Sequence, residues 1–129
     1  MNCKGKTVLL AEDNEMNQMI AKSILEEMGL TVDIAENGES AVRKIMEAET
    51  EHYSVILMDI QMPVMDGYEA AKAIRSLKDS IKAYIPIVAV TANAFDEDKK
   101  LALASGMNGH LAKPYDIGQI RKTLIELLI

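Results

Sequence analysis

The sequence predicts an α/β fold: a parallel sheet with helices on both faces. Three observations carry this. Short apolar runs alternate with segments of helical periodicity along the whole chain, and such alternation implies parallel strands joined by helical crossovers. The chain has 129 residues, 49% hydrophobic and 26% charged, which fits one globular domain large enough to bury a real core. No internal repeat, linker or low-complexity segment interrupts the pattern.

Thr7–Ala11 is a short apolar run and reads as the first strand. After Glu12-Asp13-Asn14, the residues Met16, Ile20, Ile24 and Met28 recur at helical spacing until Gly29 stops the helix. Thr31–Ala35 reads as the second strand and Asn37-Gly38 as a turn pair. Ala41, Val42, Ile45 and Met46 mark the next helix. Val55-Ile56-Leu57-Met58-Asp59 is the third strand, four apolar residues running into one carboxylate, with turn residues directly after. Gly67, Ala71, Ile74 and Leu77 mark a third helix. Ile85–Val90 reads as the fourth strand, with Pro86 near its start where a missing N–H is tolerated. Thr91-Ala92-Asn93 ends that strand, and a fourth helix runs from about Asp96 to Gly106. Gly109–Ala112 is a brief fifth strand before Lys113-Pro114, and Ile117, Ile120, Leu124 and Leu127 line a last helix. The nine methionines are read mostly as flexible filler at helical core positions.

Composition excludes several classes. The net charge of -6 argues against binding of nucleic acid or of an anionic membrane surface. Cys3, the only cysteine, cannot form an internal disulfide, so a reducing cytoplasmic setting is the simpler expectation. No apolar run approaches the roughly 18 residues of a membrane span. Lys4 and Lys6 lead into only a short apolar run, unlike a signal peptide. His52 lies in a polar stretch and reads as solvated, and two histidines without ligand spacing do not make a zinc site.

The candidate chemistry lies at one edge. In such a sheet the carboxyl ends of all strands face one rim, where ligands bind. The residues placed there are Glu12, Asp13, Asp59, Thr91 and Lys113. Each has an ordinary reading of its own: Asp13 or Asn14 suits the cap of the first helix, Thr91 suits a cap, and Lys113 suits a solvated surface charge. Converging carboxylates would repel one another without a cation, and a few oxygen ligands suit Mg²⁺ (or Mn²⁺) better than Ca²⁺. Together the set meets the needs of phosphoryl transfer: Asp59 as nucleophile, Lys113 and the metal to neutralise charge, Thr91 and a backbone N–H near Ala92 to hold the transferred group.

These motifs resemble the receiver domains of two-component response regulators, from about Lys6 to Ile129. The resemblance rests on Ala11-Glu12-Asp13-Asn14, Met58-Asp59-Ile60-Gln61-Met62-Pro63, Thr91-Ala92-Asn93-Ala94 and Leu111-Ala112-Lys113-Pro114. Glu12–Gln18 and Ala35-Glu36-Asn37-Gly38 resemble the receivers of hybrid sensor histidine kinases. The resemblance implies a doubly wound, flavodoxin-like (βα)5 three-layer sandwich with strand order 2-1-3-4-5. It implies that Asp59 takes a phosphoryl group from the phosphohistidine of a histidine kinase or histidine phosphotransfer domain. It assigns the metal to Asp13, Asp59 and the backbone carbonyl of Gln61, with Glu12 acting through water. Thr91 and Lys113 bind the phosphoryl group and switch, Gln61, Ala92 and Asn93 flank it, and the Lys113–Pro114 peptide is expected to be cis. One departure stands out: His110 occupies the position of the usual aromatic switch residue, so weaker or pH-sensitive switching is the working hypothesis, tested by partner affinity of the phosphorylated form from about pH 6 to 8.

The function expected is a phosphorylation switch of the surface formed by the fourth helix, fifth strand and last helix, not a stand-alone turnover enzyme. A monomer or a phosphorylation-linked dimer is expected, without membrane insertion, and with no output domain after Ile129. Three alternatives are weighed. A haloacid-dehalogenase-like phosphatase wants a second Asp where Gln61 stands. A flavin carrier needs a phosphate cradle where Glu12-Asp13 would repel it. An unphosphorylated interaction domain of the same fold would leave the complete residue set idle.

Overall fold

The computed structural model describes residues 5–92 and 96–128. Five strands form one parallel sheet in the order β2-β1-β3-β4-β5: β1 (Thr7–Ala11), β2 (Thr31–Ala35), β3 (Val55–Asp59), β4 (Ile87–Thr91) and β5 (Gly109–Ala112). The expected doubly wound architecture and strand order are observed. The helices are α1 (Glu15–Glu27), α2 (Gly38–Glu47), α3 (Gly67–Arg75), α4 (Ser80–Ala83), α5 (Asp96–Ala104) and α6 (Ile117–Leu128).

Side-chain alternation along the strands divides the core in two. Leu9, Ala11, Ile56, Met58, Ile87 and Ala89 face the side covered by α2, α3 and α5. Val8, Leu10, Val55, Leu57, Val88 and Val90 face the side covered by α1 and α6. β3 and β4 are buried along their whole length. That is why they read as unbroken apolar runs.

Four sequence expectations are corrected. The fourth strand begins at Ile87 and includes Thr91; Pro86 lies just outside and offers its carbonyl to the Ile56 N–H at 2.9 Å. The short helix α4 was not expected. It has four residues, too few to show a period, and is held by Asp79, whose carboxylate accepts the N–H groups of Ile81 and Lys82.

Asn37-Gly38 is a helix start rather than a free turn: Asn37 caps α2 by accepting the Ser40 N–H at 2.7 Å. Gly38 is required by close approach, since a Cβ there would lie 2.3 Å from the Met65 carbonyl oxygen. Finally, the helical methionines are not core filler. Met16 is 71% exposed, Met19 73% and Met46 58%, while the buried methionines are Met28, Met58, Met62 and Met107, all outside helix interiors. The reason is angular: a strict spacing of four drifts about 40° around the helix per step. The stripe that α1 buries is Ala21, Ile24 and Leu25, with Met28 just after it.

Candidate functional site

The loops after β1, β3 and β5 bring the acids and the lysine together at the carboxyl edge of the sheet. β1 runs into Glu12, whose N–H donates to the Ala35 carbonyl at 3.0 Å and so extends the strand pairing by one residue. Asn14, not Asp13, caps α1, accepting the Asn17 N–H at 2.9 Å. Asp13 is thereby left for the cluster. Carboxylate oxygens of Glu12, Asp13 and Asp59 all lie within 4.8 Å of one another. This is a hard-oxygen donor set of the kind a divalent cation takes. Asp13 is exposed, whereas Glu12 and Asp59 are buried.

Lys113 reaches across from the end of β5. Its Nζ donates to Asp59 Oδ2 at 2.9 Å and lies 3.1 Å from Glu12 Oε1. β5 is placed for this by its pairing with β4, where Thr91 stands opposite Ala112, and by the Lys113 N–H donating to the Thr91 carbonyl at 2.8 Å. The Lys113–Pro114 peptide is cis, as the resemblance implies. Thr91 is buried at the end of β4, and Ala92 beside it is exposed. Asn93 lies outside the described residues. Gln61 donates its N–H to Asp59 Oδ1 at 3.2 Å. A cleft of about 500 Å³ adjoins the cluster, lined among others by Asp13, Gln61, Tyr68, Thr91 and Asp98.

The electrostatics follow from burial and neighbours. Burial, and Glu12 beside it, push Asp59 up to about 6 against the opposing pull of Lys113. Burial alone would raise Glu12 too, but donors from Tyr115, Lys113 and Asn14 outweigh it and hold that carboxyl below its usual range. Burial would lower Lys113; its bonds to Asp59 and Glu12 outweigh that and keep it firmly charged. His110 is half-buried. Burial and the charge of Lys99 push its imidazole down, with Asp98 opposing, so its titration moves to more acid pH. Its Nε2 is buried without a hydrogen-bond partner among the described residues. His52 is exposed, 3.8 Å from Asp33 Oδ2, far in role from any metal set.

Two site residues had no assigned part in the sequence reading. Gln18 on α1 donates its side-chain amide to the Glu12 carbonyl at 2.6 Å. Tyr115 donates its hydroxyl to Glu12 Oε1 at 2.9 Å. The available signal for Tyr115 was its place two residues after Lys113; for Gln18, its place one helical turn after the Asn14 cap.

The pattern of the response regulator receiver domain matches residues 8–125. The chain belongs to that family. It is a receiver domain of the kind used in two-component and phosphorelay systems, and its similarity extends to hybrid kinases. Hybrid signal transduction histidine kinase I of Dictyostelium discoideum is 43% identical over 109 residues, covering 83% of this chain and 6% of that protein. The receiver spans 6 to 15% of the length of curated histidine kinases such as this one.

Among solved structures, the receiver domain of sensor histidine kinase PA1611 from Pseudomonas aeruginosa PAO1, with a magnesium ion coordinated in its active site cleft, is 36% identical. Its TM-score is 0.85, covering 96% of this chain and 98% of that one. A co-crystal structure of the Saccharomyces cerevisiae histidine phosphotransfer signaling protein Ypd1 and the receiver domain of its downstream response regulator Ssk1 matches at TM-score 0.86. The identity there is 36%, over 95% of this chain and 88% of that one. No described helix of this receiver is long and apolar enough to cross a membrane.

Proposed function

We propose that Asp59 is the phosphoacceptor of a phosphorelay and that this receiver is a switch rather than a turnover enzyme. The observation that carries the reading is the Lys113 ammonium held between Asp59 and Glu12, at 2.9 and 3.1 Å, at the rim where the three carboxylates meet. An Asp59 oxygen attacks the phosphorus of a phosphohistidine. The P–N bond breaks, and the imidazole leaves with the bonding pair and takes a proton. The donor fits a histidine kinase or a histidine phosphotransfer domain, by analogy with the Ypd1 complex.

Lys113 then neutralises charge on the transferred oxygens, and the Thr91 hydroxyl and the N–H at Ala92 donate to them. Asp13, Asp59 and the Gln61 carbonyl would hold Mg²⁺ or Mn²⁺, with Glu12 acting through water. When bound, the cation supplies charge neutralisation that carboxylates cannot. The lone Cys3 of the sequence fits a cytoplasmic setting. Transfer draws Lys113 toward the phosphoryl group and shifts the surface of α5, β5 and α6 between two states.

The test is intact mass after incubation with acetyl phosphate, with and without Mg²⁺, for wild type and Asp59→Asn. A Mg²⁺-dependent gain of one phosphoryl group, absent from Asp59→Asn, is expected. An equal gain in the variant would move the chemistry away from Asp59.

A further inference from the structure

We infer that Tyr115 is a positioning residue that links the acid cluster to the first turn of α6, so that phosphorylation reaches this helix through the Tyr115 hydroxyl. The inference rests on the proposed role of Asp59 and adds the route by which its state is read.

Four groups form one chain of contacts. Asp59 Oδ2 accepts from Lys113 Nζ, Lys113 Nζ also lies against Glu12 Oε1, and Glu12 Oε1 accepts from the Tyr115 hydroxyl. Glu12 is fully buried, and its other oxygen takes only the Asn14 N–H, at 3.2 Å. A buried carboxylate must keep its donors, because an unpaired charge in that setting is costly. When Lys113 turns to a phosphoryl group on Asp59, Glu12 Oε1 loses one of two donors. Tyr115 then supplies the remaining one, and Glu12 and Tyr115 must move or stay together.

Tyr115 is also tied to the helix. Its ring packs on the core between the sheet, α1 and α6. The next residue starts α6: Asp116 accepts the Gly118 N–H through Oδ1 at 2.9 Å, and its carbonyl accepts the Ile120 N–H at 3.0 Å. A shift of the phenol is therefore a shift of that first turn. His110, where an aromatic switch would swing, makes no hydrogen bond through Nε2 among the described residues and offers no comparable link to the acids.

Tyr115→Phe keeps the ring and removes the hydroxyl. The experiment follows hydrogen exchange of amides 117–121 with and without beryllofluoride and Mg²⁺, beside phosphorylation by acetyl phosphate measured as intact mass. The wild-type exchange response is expected to fall at least threefold in Tyr115→Phe while one phosphoryl group is still gained. An undiminished response would overturn the inference and leave Asp59 chemistry standing. A wild type that neither gains a phosphoryl group nor responds to beryllofluoride would remove the Asp59 reading and this inference with it.

A second measurement needs no altered site. In fluorotyrosine-labelled wild type, the ¹⁹F resonance of Tyr115 is expected to shift on adding beryllofluoride and Mg²⁺. A fixed resonance would also overturn the link.

Discussion

Asp59→Asn should stabilise this receiver at neutral pH, and the gain should fade in acid. Asp59 is 3% exposed. Its burial, with Glu12 beside it, raises its folded-state value to about 6. In the unfolded chain a carboxyl of this type titrates near 3.9, so the rise of about two units corresponds to about 3 kcal/mol. Between those two values the folded state binds more protons than the unfolded one. Stability therefore falls as pH rises through about 4 to 6, and the full cost is present above that window. Asn has the same shape without the charge.

Against this gain, Lys113 loses its 2.9 Å bond to Asp59 and keeps only Glu12, which costs about 1 kcal/mol. The net expectation is a gain of about 2 kcal/mol at pH 8, shrinking to about 0.5 kcal/mol at pH 5. Urea unfolding of both proteins in buffers free of divalent cations measures it directly. Added Mg²⁺ should narrow the gap at pH 8, because a ligand held by Asp59 stabilises the wild type alone. A variant no more stable than wild type at pH 8, or a gain that grows as pH falls, would refute the desolvation argument.

Two further substitutions probe how the site is held. The half-buried guanidinium of Arg75 donates to the carbonyls of Ala83, Ile85 and Gly106 and to the Asn108 side chain, at 2.7–2.8 Å, and so ties the ends of α3, α4 and α5 to the loops before β4 and β5. Arg75→Met should cost about 2–4 kcal/mol in urea unfolding, since those carbonyls lose a charged donor together, while phosphorylation of Asp59 persists. Gly67 opens α3 where a Cβ would lie 2.5 Å from the Asp59 carbonyl oxygen and 2.9 Å from the Ile60 Cα. Both are backbone atoms and cannot swing aside. Gly67→Ala should therefore cost about 1–3 kcal/mol and slow phosphorylation by acetyl phosphate, and an unchanged rate would show that Asp59 tolerates the displacement.

The fold was legible because its signals are local. Strands buried on both faces leave unbroken apolar runs, as at β3 and β4, and each run ends in a polar residue at the same rim. Where burial depends on an angle rather than on a run, the pattern misled. Met16 and Ile20 share a spacing with Ile24, yet the drift of the helix carries them into solvent. The four residues of α4 have no period to read, and only the Asp79 cap reveals them.

What the sequence by itself determined is the set of actors and the edge they share: Glu12, Asp13, Asp59, Thr91 and Lys113 stand at strand ends, and parallel strands must bring those ends to one rim. Tertiary structure alone decided their partners. Asn14 rather than Asp13 caps α1, Lys113 bridges Asp59 and Glu12, and Tyr115 closes on Glu12 from a point 103 residues further along the chain. Such pairings depend on strand register and on which oxygen of a buried carboxylate still needs a donor. Both are properties of the packed molecule, set when β5 docks beside β4 and carries Lys113 and Tyr115 to the acids.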